Sequence, residues 1–275
     1  MEWGSALFIL KNAYLSMLSV GFYAFILYDR AMIARLLLTP GNATFPTLRL
    51  DSDTLHYLKD VLRLELGGTL SVVVEGDACH DCEVLEIGRS TITVRQIKTT
   101  PIPESTFPTV TIIQSLVKQD KFKTVLNCCT QAEASAFWPV ETTRSVAKIS
   151  NLDHKMKRWS DIIYSAALQS QQVRCPTIIS PCSFDDFLDR FSADDYDLCL
   201  VPWEDESTVS LRQIVEGTDR PQSIAIFIGP EGGFTANEID RLREAGFQSA
   251  SLGTSILRAQ HAGIYTLGML HYAYD

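Results

Sequence analysis

The sequence predicts a two-domain α/β protein. Three features carry that expectation: apolar strand patterns alternating with helix patterns across residues 109–275, three β-rich runs parted by glycine turns across residues 69–97, and a pair of sharp glycine turns that each follow a strand. Alternating strands and helices make a largely parallel sheet covered on both faces. Sharp turns at the carboxyl ends of such strands are where an open α/β sheet binds its ligand.

Composition sets the bounds. With 275 residues, of which 46% are hydrophobic and 21% charged, the chain can bury a substantial core and fill one large or two smaller domains. A net charge of −9 excludes a nonspecific nucleic-acid coat protein, which would need clustered Lys and Arg, but leaves room for a local basic face. Seven irregularly spaced cysteines do not read as a disulfide scaffold, and a reducing cytoplasm is the simpler setting.

Residues 12–28 are uncharged and sit at the lower edge of what spans a bilayer, while Glu2 and Lys11 spoil a secretory signal. Three readings stay open for residues 1–31: an extension upstream of a working start at Met32, a membrane anchor, or a helix packed on the fold.

The first domain is expected over residues 32–103. Strands are predicted at residues 34–38 and 47–50, and a helix over residues 52–63 with Asp51 or Ser52 as N-cap. The runs TLSVVVEG, CEVLEIG and TITVRQI then form a small, mostly antiparallel sheet or barrel. Cys79-His80-Asp81-Cys82 is placed in one of the intervening turns, where a lone CxxC reads as a hairpin tip ahead of a metal site. His56, Lys59 and Arg63 fall on one helical face, either an RNA-contacting surface or a solvated stripe. Proline-rich TTPIPESTFP is the linker.

The second domain runs over residues 109–275. Predicted strands cover residues 109–116, 136–140, 177–180, 197–202 and 223–228, with helices at 122–134, 154–170, 184–191 and 236–245 and a final helix after Arg258. Residues 118–158 hold eight basic side chains against four acidic ones, whereas residues 183–220 hold three against eleven. The basic segment is a candidate face for a phosphate backbone. GPEGG at residues 229–233 is neither a P-loop nor GxGxxG. Two glycine turns on neighbouring strands fit a ligand met by main-chain groups, such as an adenine nucleoside.

IGPEGGFTANEI followed by SLGTSILRAQHA resembles the signature of the RsmE-type ribosomal RNA small-subunit methyltransferases of the trefoil-knotted SPOUT superfamily. HYLKDVLRLELGGTL is similar to that family's PUA-like domain, and VKQDKFKTVL, FWPVETTRSV and CLVPWEDES to segments ahead of its knot. The likeness covers residues 33–275. It implies a SPOUT-type trefoil-knot α/β domain preceded by a small β-rich PUA-like barrel, S-adenosyl-L-methionine as cofactor, and N3-methylation of a uridine in 16S ribosomal RNA. The implied partners are small-subunit ribosomal RNA or the assembled subunit, and a second copy in a homodimer.

Carried over residue by residue, the resemblance puts the cofactor against three loops: Leu200, Pro202 and Glu204; Ile228, Gly229, Pro230, Glu231, Gly232 and Gly233; and Leu252, Gly253, Ile256 and Leu257. Arg258, the Arg of ILR, is the catalytic candidate, orienting the uridine or stabilising the anion left when its N3 proton departs. Its structural alternative is a helix-start residue paired with Glu231. His261 is the nearest titratable candidate for a base, with surface or packing duty as its alternative. RNA contacts are expected from Arg63, Lys118, Lys121 and Arg144, and no metal is expected. The chain departs from the family's usual residues at Cys128, at Gln131-Ala132-Glu133, at Leu168-Gln169, at Gln172 and at Gln260. A noncatalytic RNA-binding paralogue is the alternative function.

Overall fold

The computed structural model describes residues 34–274, so the expectations for residues 1–31 lie outside the described residues. Residues 34–73 with 79–100 form one compact unit, and residues 74–78 with 101–274 form a second.

In the first unit, β1 (Ala34–Leu38), β2 (Thr47–Arg49), β3 (Thr69–Val74), β4 (Ala78–Ile87) and β5 (Thr91–Pro101) make a five-stranded sheet in the order β1-β3-β4-β5-β2. β3 pairs antiparallel with β4, and β2 with β5. Alternate residues Val84, Ile92 and Val94 are buried, as are Leu70 and Val72 of β3 and Leu36, Leu48 and Leu58. Helix α1 (Ser52–His56) starts at the cap Asp51, whose carboxylate accepts from the Thr54 N–H at 2.8 Å.

Three expectations are corrected here. The predicted helix does not continue to Arg63: it widens into a π-helical turn at Tyr57–Val61, and Arg63 lies beyond it with φ 53. His56, Lys59 and Arg63 therefore do not share one helical stripe, and His56 instead contacts Asp60 one turn on. CHDC is no hairpin tip but the start of β4, with Cys79 opposite Val73 and Cys82 opposite Leu70. His80 is buried, held by Thr99 at 3.1 Å and Gln96 at 3.0 Å. The prolines do not end the strand early either, since β5 runs through Pro101.

The second unit is a parallel sheet in the order β12-β10-β11-β6-β7-β8, with β9 also on β7. Its strands are β6 (Thr109–Ser115), β7 (Ala136–Glu141), β8 (Thr177–Ile178), β9 (Cys182–Ser183), β10 (Leu198–Pro202), β11 (Ser223–Ile228) and β12 (Gln248–Ala250). The helices are α2 (Gln119–Gln131), α3 (Leu152–Gln169), α4 (Phe184–Arg190), α5 (Leu211–Glu216), α6 (Ala236–Glu244) and α7 (Ala259–Tyr274). Alternate residues of one strand feed opposite faces. Ile112 and Ile226 pack with Leu126, Cys129, Leu267 and Leu270 on one side, while Ile113 and Phe227 pack with Phe187, Ile239 and Leu242 on the other.

Local chemistry sets the helix ends. Thr235 and Glu238 form a reciprocal capping box at α6, and Ser210 and Gln213 form another at α5, a short helix outside the predicted set. α2 begins at Gln119, so the predicted basic turn is its first turn.

Phe187 is wholly buried and touches Trp138, Phe191, Phe227 and Phe247 with ring centroids 5.0 to 6.4 Å apart. Phe187→Ala should cost about 3–5 kcal/mol through the cavity it leaves. Urea denaturation followed by circular dichroism measures the loss.

Candidate active site at the carboxyl ends of three parallel strands

β10 is paired along both edges: Leu198 and Leu200 lie opposite Ile224 and Ile226 of β11, while Leu200 and Pro202 lie opposite Gln248 and Ala250 of β12. Because all three strands run the same way, the turns that leave them meet at one end of the sheet. They enclose a cavity of about 400 Å³, within the range of small-molecule sites. The start of α7 and Lys121 of α2 complete its wall.

Of the residues expected at the cofactor, Pro202, Glu204, Ile228, Gly229, Pro230, Glu231, Gly233, Leu252, Gly253, Ile256 and Leu257 line this cavity, as does Arg258. Leu200 does not. It is fully buried inside β10, between its two neighbouring strands. Gly232 is also off the wall: a Cβ there would stand 3.2 Å from Cβ of Arg144, so its small size serves packing. Trp203, Thr254 and Ser255, which fall within the expected loops, line the cavity too, and Ser251 and Gln260 line it without having been expected there.

The glycines do different work. Gly233, at φ +69, has Glu204 Oε1 where a Cβ would go, 1.9 Å from the ideal position. Gly253, at φ +120, has no heavy atom within 4 Å of that position, leaving bare backbone beside open space. That suits a nucleoside met by main-chain groups. Apolar Ile228, Leu252 and Leu257 stand on the same wall as the carboxylates of Glu204 and Glu231. The cavity thus fits S-adenosylmethionine in size and in the chemistry of its wall.

The basic candidates are tied to the second turn. Glu231 Oε1 accepts from the Lys118 backbone N–H and from Lys121 Nζ, both at 3.2 Å. Burial works to raise the Glu231 pKa, but these donors outweigh it and hold the carboxyl below its ordinary range. Arg144 Nη1 donates to the carbonyls of Gly232 at 3.0 Å and Phe234 at 3.2 Å. Arg63 belongs to the first unit and is exposed. Arg258 is exposed and forms no ion pair among the described residues, so the alternative pairing with Glu231 does not occur. Its carbonyl accepts the first helical bonds of α7, from the N–H groups of His261 and Ala262. His261 is exposed and is not part of the cavity wall.

The departures at Gln172, Gln131 and Gln260 take distinct places. Gln172 donates to the Thr130 carbonyl, and Gln131 to Asn127 Oδ1. Gln260 is buried in the cavity wall.

One organiser was missed from sequence. Glu206 sits in the turn after β10, buried, and its carboxylate gathers five donors: Thr208 N–H, Thr208 Oγ1 and Val209 N–H on one oxygen, Ser249 Oγ at 2.6 Å and Arg243 at 3.3 Å on the other. Arg243 also stacks over Trp203 at 5.4 Å. Glu206 thereby clamps the β10 turn to β12 and α6. The Ser249 and Thr208 bonds, ahead of the smaller opposing effect of burial, hold its pKa at about 2. Its only trace in the sequence is an acidic residue followed by Ser-Thr.

Fold and cavity together define an α/β domain with a nucleoside-sized site at a strand switch. A family model described as an RNA methyltransferase domain matches residues 103–271, and the chain belongs to that family. A ribosomal RNA small subunit methyltransferase E from Synechocystis is 31% identical over 244 residues, covering 87% of this chain and 78% of its own. Its namesake from Bacillus subtilis is 29% identical over 233 residues, covering 82% and 90%. The crystal structure of a ribosomal RNA small subunit methyltransferase E from Neisseria gonorrhoeae bound to S-adenosyl methionine shares the fold at a TM-score of 0.77 and 22% identity, over 88% of this chain and 98% of that one.

The Glu206 clamp has a pH signature. Its folded pKa lies below the ordinary 4.5, so its stabilisation is complete above about 4.5 and is lost as pH falls toward about 2. Glu206→Gln should cost about 1–3 kcal/mol at pH 7. It should also flatten the loss of stability between those two pH values, as read from thermal melts across the range.

Proposed function

We propose that this chain is an S-adenosylmethionine-dependent methyltransferase acting on N3 of a uridine in 16S ribosomal RNA. The observation that carries the reading is the convergence of three parallel-strand turns on one cavity whose rim holds Arg258, in a chain of the RNA methyltransferase family. Bound S-adenosylmethionine supplies an electrophilic methyl group. Transfer then depends mainly on placement, which the turns provide. In this reading the Arg258 guanidinium, exposed and forming no ion pair among the described residues, orients the uridine and balances the negative charge that develops as the N3 proton is lost to solvent.

The wider architecture follows the same reading. Residues 32–103 serve as a PUA-like RNA-binding domain and residues 109–275 as the knotted methyltransferase domain. In support of a knot, Ser210 and Ser251 form a parallel bridge, so the chain leaving β12 is fastened to the segment after β10 before α7 packs beside α2. Exposed Lys118 and Arg144 on the second unit and Arg63 on the first are the RNA contacts. A homodimer is supported by the apolar surface that α7 leaves open, where Tyr265 is 46% and Tyr272 95% exposed. No helix among the described residues is long and apolar enough to cross a membrane, and the site of action is the cytoplasm, where ribosomal RNA is assembled.

Calorimetry should show S-adenosylmethionine binding to wild type and, within a few-fold, to Arg258→Ala. Tritium transfer to small ribosomal subunits should fall by about 100-fold or more in that variant. Absence of binding to wild type removes the enzyme reading. Binding without any transfer favours a noncatalytic paralogue.

A further inference from the structure

Lys121 was expected to meet RNA, yet its side chain lines the cavity enclosed by the three strand turns. It projects from the first turn of α2, and its Nζ lies 3.2 Å from Oε1 of Glu231, a half-buried carboxylate of the second turn. That ion pair pins the ammonium to the cavity wall. A lysine ammonium has three N–H donors. The contact with Glu231 uses one, the side chain keeps 35% of its surface exposed, and no other bond among the described residues uses the remaining donors. Arg258 stands on the same wall, so the cavity has two cationic groups beside the carboxylates of Glu204 and Glu231, of which Glu231 already faces Lys121.

Fixed cations around a nucleoside-sized cavity call for an anionic group on the ligand. We propose that Lys121 binds the carboxylate of the methionine moiety of S-adenosylmethionine, with Glu231 acting as the positioning residue that aims the ammonium. This rests on the cavity being the cofactor site. Lys121 is then a specificity element for the amino-acid end of the ligand, while the nucleoside end is left to the bare backbone at Gly253 and the apolar side chains around it. It also explains why an acidic residue stands in a turn that meets a ligand carrying a carboxylate: Glu231 faces the lysine and keeps it in place.

Calorimetry with two compounds tests the assignment. S-adenosylhomocysteine keeps the amino-acid carboxylate, and methylthioadenosine has the same nucleoside without it. Lys121→Ala should weaken S-adenosylhomocysteine by about tenfold or more and leave methylthioadenosine unchanged, with Lys121→Arg restoring most of the loss. Equal weakening of both compounds would overturn the proposal, since Lys121 would then act only by shaping the second turn. Unchanged affinity for both would also overturn it, and a fall in RNA affinity alongside would return Lys121 to the RNA face. Melting of the ligand-free variants checks that the substitutions leave the fold intact. A wild type that binds neither compound would sink the cofactor reading itself, an outcome distinct from a wild type that binds both while Lys121→Ala binds both equally well.

Discussion

Pairing of β10 along both of its edges is the constraint on which the site depends. Backbone hydrogen bonds to β11 on one side and β12 on the other fix three chain segments far apart in sequence into one register. Parallel direction then does the rest, since every turn leaving those strands emerges on the same side. None of the cavity-lining side chains has to create this convergence. They inherit it, and their own chemistry is free to serve recognition.

Around that frame, charge is used to tether loops. Glu206 ties the first turn to β12 and α6, Glu231 of the second turn accepts from Lys118 and Lys121 at the start of α2, and Arg144 holds the carbonyls on either side of Gly233. The Glu206 and Glu231 tethers join a loop to a strand or a helix, while Arg144 joins two loops that leave neighbouring parts of the sheet. Helices and strands thus anchor two of the cavity's turns, as precise positioning of a reacting pair demands. Exposed ion pairs of ordinary kind would contribute little to this, but a buried carboxylate with five donors is a fixed point.

Much of this was legible in the residues. Apolar runs such as SIAIFI and TVTIIQS announce buried parallel strands, and Thr235 with Glu238 announces a helix start. The glycine turns and ILR marked two of the three cavity walls. What was not legible depended on distant partners. CHDC has the composition of a turn, but the partners of its His80 are Phe45, Thr99 and Gln96, which only the folded sheet brings near. Glu206 reads as one more acid in an acidic stretch until Ser249 and Arg243 arrive from elsewhere in the chain. Lys121 reads as a surface cation until Glu231 is folded against it. The π-helical turn after α1 carries no breaker residue, so nothing local signalled that Arg63 would leave the helix.

The junction of α2 and α7 has no slack. A Cβ on Gly263 would lie 3.1 Å from Cys129 Sγ and 3.8 Å from Ile228, directly behind the second turn of the cavity. Cys129 is wholly buried, and burial pushes its thiol pKa up, so it is chemically silent while the helices stay together. A thiol reagent can reach it only when the packing around α2 opens. The rate at which Cys129 becomes alkylated is therefore a clock for the breathing of the wall behind the ligand cavity, kept by a side chain that takes no part in chemistry.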